Sequence, residues 1–232
     1  MRKDPLITGE YYHIYNRGVD KRDIFMDMRN LRRFVLSVKK FNTIKPVGSI
    51  RETMEQERET KLRRLTSEFG SEVLVSQEEK PLVAITCYCF NPNHFHFIVK
   101  QEVDGGISEF FKRLLGGYTK YFNAINNRSG SLFQGTFKSH LIDNDKYFSK
   151  IYPYVNMNYL IHKIPKGKNH LVWASDKEYN SGNFDIISKE EVKNILDVYG
   201  SAESFKKECL QIISVIRQER GNTSLFEKDL LP

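Results

Sequence analysis

His94 and His96 flank a single hydrophobic residue, Phe95. Alternate side chains of a strand leave the same face, so the two imidazoles project together while Phe95 turns away. Two neutral imidazoles converging on one point are donors for a divalent metal. They do not complete a site, because such an ion takes a third protein ligand or several waters. The same spacing also suits two polar residues on a solvated face. The neighbours decide that the pair sits on a strand. Asn91-Pro92-Asn93 is turn chemistry. His94–Val99 therefore reads as the return strand of a hairpin whose first strand is Leu82–Phe90. That first strand has little polarity on either face, as a central, covered strand does.

The rest of the chain must position this hairpin. Tyr11–Asn16 reads as a strand of aromatic and β-branched residues, ended by Arg17-Gly18. His13 on that strand is open to a structural role or to orienting a ligand. Over Met28–Phe41, Leu31, Phe34, Val35, Val38 and Phe41 recur at helical spacing. Residues 46–80 are highly charged and read as a solvated insertion. After Gly105-Gly106, Ile107, Phe110, Phe111, Leu114, Tyr118, Tyr121, Phe122 and Ile125 form the stripe of a long amphipathic helix. Residues 132–142 look extended, with an aromatic and basic run at Phe133–Lys138. Asp143 or Asn144 caps a helix running toward His162, and Pro153 predicts a kink or a fresh start within it. Beyond residue 170 the pattern predicts two more helices. One opens on a Ser188–Glu191 capping box, and the last buries Phe205, Cys209, Ile212, Ile213 and Ile216. The order predicts an α+β, mainly antiparallel sheet backed by helices, with one sheet face left for a partner. The division expected is a body of residues 1–170, holding the 46–80 insertion, and a helical extension over 171–232.

Composition bounds the function. The chain has 232 residues, 40% of them hydrophobic, with 16 Phe and 12 Tyr, which is enough for a real core. No run approaches 18 apolar residues, so no membrane helix is expected. No apolar segment follows the N-terminal residues, so no secretory signal is expected. Three cysteines do not make a disulfide scaffold, and a reducing, cytoplasmic setting is the default. The net charge is +7. Between residues 101 and 170 stand ten Lys or Arg against five Asp or Glu, a local excess suited to a polyanion.

Four ordered segments resemble one family. Asn91-Pro92-Asn93-His94-Phe95-His96 is similar to the histidine–hydrophobic–histidine (HUH) signature of single-tyrosine transposases. Tyr12–Gly18 resembles that family's first strand, Leu132–Ser139 its central extended motif, and Tyr154-Val155-Asn156-Met157-Asn158 its tyrosine helix. The group associated with repetitive extragenic palindromes is the nearest branch. The resemblance implies a ferredoxin-like fold and cleavage of single-stranded DNA at hairpins through a covalent 5′-phosphotyrosine, followed by strand transfer. It implies Tyr154 as nucleophile and His94, His96 and Asn158 as ligands of Mg²⁺ or Mn²⁺. Spacing agrees, since residues four apart in a helix share a face. A phenol is a weak nucleophile near neutrality, so a metal polarising the phosphate fits the chemistry.

Softer roles go to Arg17, Arg113, Lys120, Lys138, Lys146 and Lys150 as phosphate contacts and to Phe133 as a base-stacking ring. Monomer and homodimer are both open. Thr136 stands where the family has arginine, and Pro153 directly precedes the tyrosine. These differences favour the alternative, a DNA- or RNA-binding protein on the same fold without catalysis.

Overall fold

The computed structural model describes residues 5–45, 47–66, 80–162 and 164–219. Strand β1 (Tyr11–Arg17) leads to helix α1 (Met28–Phe41), and α2 (Ile50–Thr66) follows. The hairpin is β2 (Val83–Asn91) and β3 (His94–Gln101); then come α3 (Gly106–Ile125), β4 (Lys138–Leu141) and α4 (Asp145–Asn156). A two-residue strand, β5 (Trp173–Ala174), precedes α5 (Asp176–Ser181), α6 (Lys189–Tyr199) and α7 (Ala202–Glu219). The sheet order is β4-β1-β3-β2-β5, and every pairing is antiparallel. The fold is α+β, a helix-backed antiparallel sheet in which strand, helix, two strands, helix and strand give the ferredoxin-like order. α2 occupies part of the charged 46–80 stretch, while residues 46 and 67–79 lie outside the described residues.

Sequence dictates the main elements locally. Asp27 caps α1 by accepting a hydrogen bond from the Asn30 amide at 2.9 Å. Leu31, Phe34, Val35, Val38 and Phe41 are buried as their spacing requires. Gly105, with φ of +70°, turns the chain into α3. At Gly106 a Cβ would lie 2.3 Å from the Leu82 carbonyl oxygen, so only glycine lets the helix start so close to the hairpin.

The sheet has two covered faces. Phe95 and Phe97 point toward α1 and α3, where Phe34, Phe90, Phe110 and Phe111 pack in edge-on and tilted pairs with centroids 4.9–6.4 Å apart. The opposite face carries His94, His96 and Ile98 and lies under α4. α7 packs on α4 in turn, burying Phe205, Cys209, Ile213 and Ile216.

Three expectations need correction. The helix capped by Asn144 ends at Asn156 rather than near His162; Met157 leaves helical dihedrals, and a 3₁₀ turn holds Asn158–Leu160. Pro153 starts no new helix: it lies in the last turn of α4, which runs on to Asn156. The capping box does not form, because Ser188 makes no side-chain cap. The carboxylate of Glu191 turns instead to the sheet, where it takes hydrogen bonds from the Lys100 ammonium at 2.7 Å and from the Tyr11 hydroxyl. The amide that a capping box would offer, that of Ser188, donates instead to the Ile85 carbonyl at 2.8 Å.

Candidate metal and nucleic-acid site

The pairing register builds one polar face. Tyr15 lies opposite His96, Arg17 opposite His94 and His13 opposite Ile98. His140 on β4 faces His13, Lys138 faces Tyr15, and Asn91 on β2 faces His94. Together with His162, this gathers five of the chain's six histidines.

Ligand nitrogens of His94, His96 and His162 all lie within 4.8 Å of one another. His96 is buried, while His94 and His162 are partly exposed, so the cluster opens to solvent at one end. Each member of the strand pair is held by a partner behind it. Nδ1 of His94 is 2.6 Å from Oδ1 of Asn93, which only accepts, so Nδ1 carries the proton and Nε2 keeps its lone pair. Nδ1 of His96 is 2.9 Å from Nε2 of the wholly buried His13, leaving Nε2 of His96 to meet an ion. Burial drives the His96 imidazole well below its ordinary pKa, and the nearby His13, His94, His162 and Arg17 push the same way. Burial and His140 push His13 down to about 3. Both rings are neutral at physiological pH, the form that ligates metal. The donor set therefore fits a divalent ion.

Asn158 reaches the same point from the 3₁₀ turn. Its Oδ1 accepts from Nδ2 of Asn91 at 2.9 Å and lies 3.3 Å from Nε2 of His94. Its Nδ2 is buried with no hydrogen-bond partner among the described residues. Tyr154, wholly buried on α4, sets its ring edge against His96 at 5.6 Å between centroids and against His13 at 6.4 Å. Tyr15 stacks on both of these imidazoles at 5.8 and 5.0 Å, and the Lys138 ammonium lies 5.8 Å from the Tyr15 ring centre. Two other buried tyrosines are engaged elsewhere: Tyr152 by a hydroxyl contact of 2.9 Å with Thr86, and Tyr118 by donating to the Ile24 carbonyl at 2.6 Å.

The basic residues divide. Arg17 and Lys138 lie on the histidine face and are exposed; Lys146 and Lys150 belong to α4, which covers it. Arg113 and Lys120 lie on α3, behind the phenylalanine face, and are not brought to the histidines. Arg113 is engaged with Glu109 at 2.8 Å and the Thr43 carbonyl at 2.8 Å. Phe133 packs edge-on against Phe95 at 5.8 Å and is 4% exposed, so its ring is a core ring here and offers no stacking surface. His162 escaped sequence reasoning. It follows the 3₁₀ turn by two residues, and its spacing of four from Asn158 was the available signal.

An antiparallel α+β fold with a buried histidine face is thus the class of protein that geometry defines. No family model and no curated protein matches the chain. Among solved structures it is similar to a REP-associated tyrosine transposase bound to a REP hairpin. The identity is 14% and the TM-score 0.44, over 83% of this chain and 92% of that one. Among the described residues, no helix is long and apolar enough to cross a membrane.

Proposed function

We propose that the protein is a metal-dependent endonuclease and strand transferase for single-stranded, hairpin-bearing DNA, working through a covalent tyrosine intermediate. One observation carries the reading: a helix sets the Tyr154 ring against His96, one of the three histidines of a metal-competent donor cluster. His94, His96 and Asn158 would hold the ion, Mg²⁺ or Mn²⁺. When bound, the ion polarises the scissile phosphate and offsets its charge.

The chain's residues do the rest. Oη of Tyr154 attacks the phosphorus and releases its proton to solvent. The bond from phosphorus to the 3′-oxygen breaks, and that oxygen leaves as a hydroxyl after taking up a proton. The products are a 5′-phosphotyrosyl link and a free 3′-OH. Attack by another 3′-OH reverses the step and joins strands, because the phosphodiester energy stays in the ester. His13 and Asn93 hold the two imidazoles in the ligating tautomer. Arg17, Lys138, Lys146 and Lys150 contact DNA phosphates, so binding weakens steeply with salt. Residues 1–170 carry this chemistry, with 171–232 as a helical extension, and the protein acts as a monomer or a homodimer.

A second reading, DNA or RNA binding without cleavage, is favoured by the complete burial of Tyr154. On the first reading, docking of DNA displaces the end of α4 to expose the phenol. End-labelled hairpin DNA incubated with the protein and Mn²⁺ separates the two. A covalent adduct that resists denaturation and disappears in Tyr154→Phe supports the transferase. Binding without any adduct across a broad hairpin library overturns it.

A further inference from the structure

We propose that His162 supplies a third imidazole to the His94–His96 pair, so that the site selects a transition-metal ion over Mg²⁺. The inference rests on the metal-dependent reading above and deepens it.

The geometry comes from the end of α4. The 3₁₀ turn Asn158–Leu160 swings the chain back across the sheet and lays the His162 ring over His94, with centroids 4.5 Å apart and planes at 71°. The donor nitrogens of the three histidines lie within 4.8 Å of one another. Nitrogens about 2.1 Å from one tetrahedral ion lie about 3.4 Å apart, so movements of about 1 Å in the imidazoles close the set. His162 is partly exposed just after that turn, with its Nε2 buried on the side of the cluster.

The donor chemistry then sets the metal. The cluster holds three imidazoles and no carboxylate. The amide oxygen of Asn158, 3.3 Å from Nε2 of His94, is placed to add a fourth donor. Mg²⁺ demands oxygen ligands and gives up its waters reluctantly. Imidazole suits zinc, iron, nickel and copper, and affinity rises from Mn²⁺ through Co²⁺ along the first row. Three nitrogens with a position left for a phosphate oxygen is also the layout of catalytic zinc sites.

The test uses the full chain and Co²⁺ as the probe, read by visible absorption. The wild type gives a saturable d–d spectrum that stoichiometric Zn²⁺ abolishes and a large excess of Mg²⁺ does not. His162→Ala weakens Co²⁺ binding by more than about 100-fold, beyond the roughly 10–100-fold of a lost outer-sphere partner, and changes the band shape. His162→Gln keeps the polarity and removes the nitrogen, and it shifts the competition toward Mg²⁺. Unchanged circular dichroism of both variants keeps the comparison about ligands. A wild-type spectrum and affinity in both His162 variants, with loss in His94→Ala, overturns this inference and leaves the histidine-pair reading standing. Wild-type binding in His94→Ala as well overturns the metal reading itself.

Discussion

The two faces of the sheet are both covered by helices and differently made. On one, Phe95 and Phe97 meet α1 and α3 in an aromatic core that needs only shape and volume. On the other, His13, Asn91, His96, Asn156, Asn158 and Ser175 are all under 9% exposed, and almost every polar atom has to be met by a named partner. A core gains nothing in stability from exchanging hydrocarbon for histidine and asparagine. Orphan atoms on this face, such as Nδ1 of His13 and Nδ2 of Asn158, lie in the histidine site.

Substitutions sharpen this contrast. The largest effect is expected on the aromatic face. Phe95→Ala should cost about 3–5 kcal/mol in chemical denaturation, because its wholly buried ring touches Phe34, Phe97, Phe111 and Phe133. His94→Ala, one residue away and partly exposed, should leave the metal-free melting curve nearly unchanged. Equal losses would erase the distinction between the faces.

Acid probes the polar face next. His13 and His96 have folded pKa values below the ordinary 6.5, so the unfolded chain takes up protons first as pH falls. Their contribution is complete above about pH 6.5 and is lost below it, at about 1.4 kcal/mol per pH unit for each ring. Unfolding free energies from urea titrations of the metal-free protein at pH 6.5 and 5.5 should differ by about 2 kcal/mol. His13→Phe should flatten that slope by about half.

Ser175→Ala comes third. The Ser175 hydroxyl donates to Oδ1 of Asn156 at 2.7 Å and accepts from the Tyr88 amide at 3.1 Å. Its removal strands buried partners and should cost about 1–3 kcal/mol. Lys39→Ala is the smallest. Its ion pair with Asp185 at 2.6 Å is about half exposed, and a loss under about 1 kcal/mol is expected from the same curves.

Legibility in the sequence followed the same division. The aromatic face could be read because α1 and α3 advertise their buried stripes at helical spacing and the hairpin carries its own turn signal. The His94–His96 pair could be read because strand alternation is a local rule. Its supports could not. His13 meets His96 only through the β1–β3 register, which joins residues 83 positions apart. β5 is two residues long and is held by pairing to β2 rather than by any propensity of its own. Glu191 looked like a capping residue until a distant ammonium and phenol claimed it. Arg113 and Phe133 carry suitable chemistry, but tertiary packing decides which surface they reach.

Ser175 also joins the last third of the chain to the helix bearing Tyr154. It stands between β5 and α5, bonds Asn156 two residues beyond that tyrosine, and touches the Cys87 thiol 3.3 Å away on β2. α7 closes over the same spot, with Cys209 accepting from the Asn156 amide. The segment beyond residue 170 thus forms the back wall of the histidine site. A chain cut after residue 170 would keep all three clustered histidines and Tyr154, yet it would bare the edge of β2 and unmoor the phenol from the imidazoles it faces.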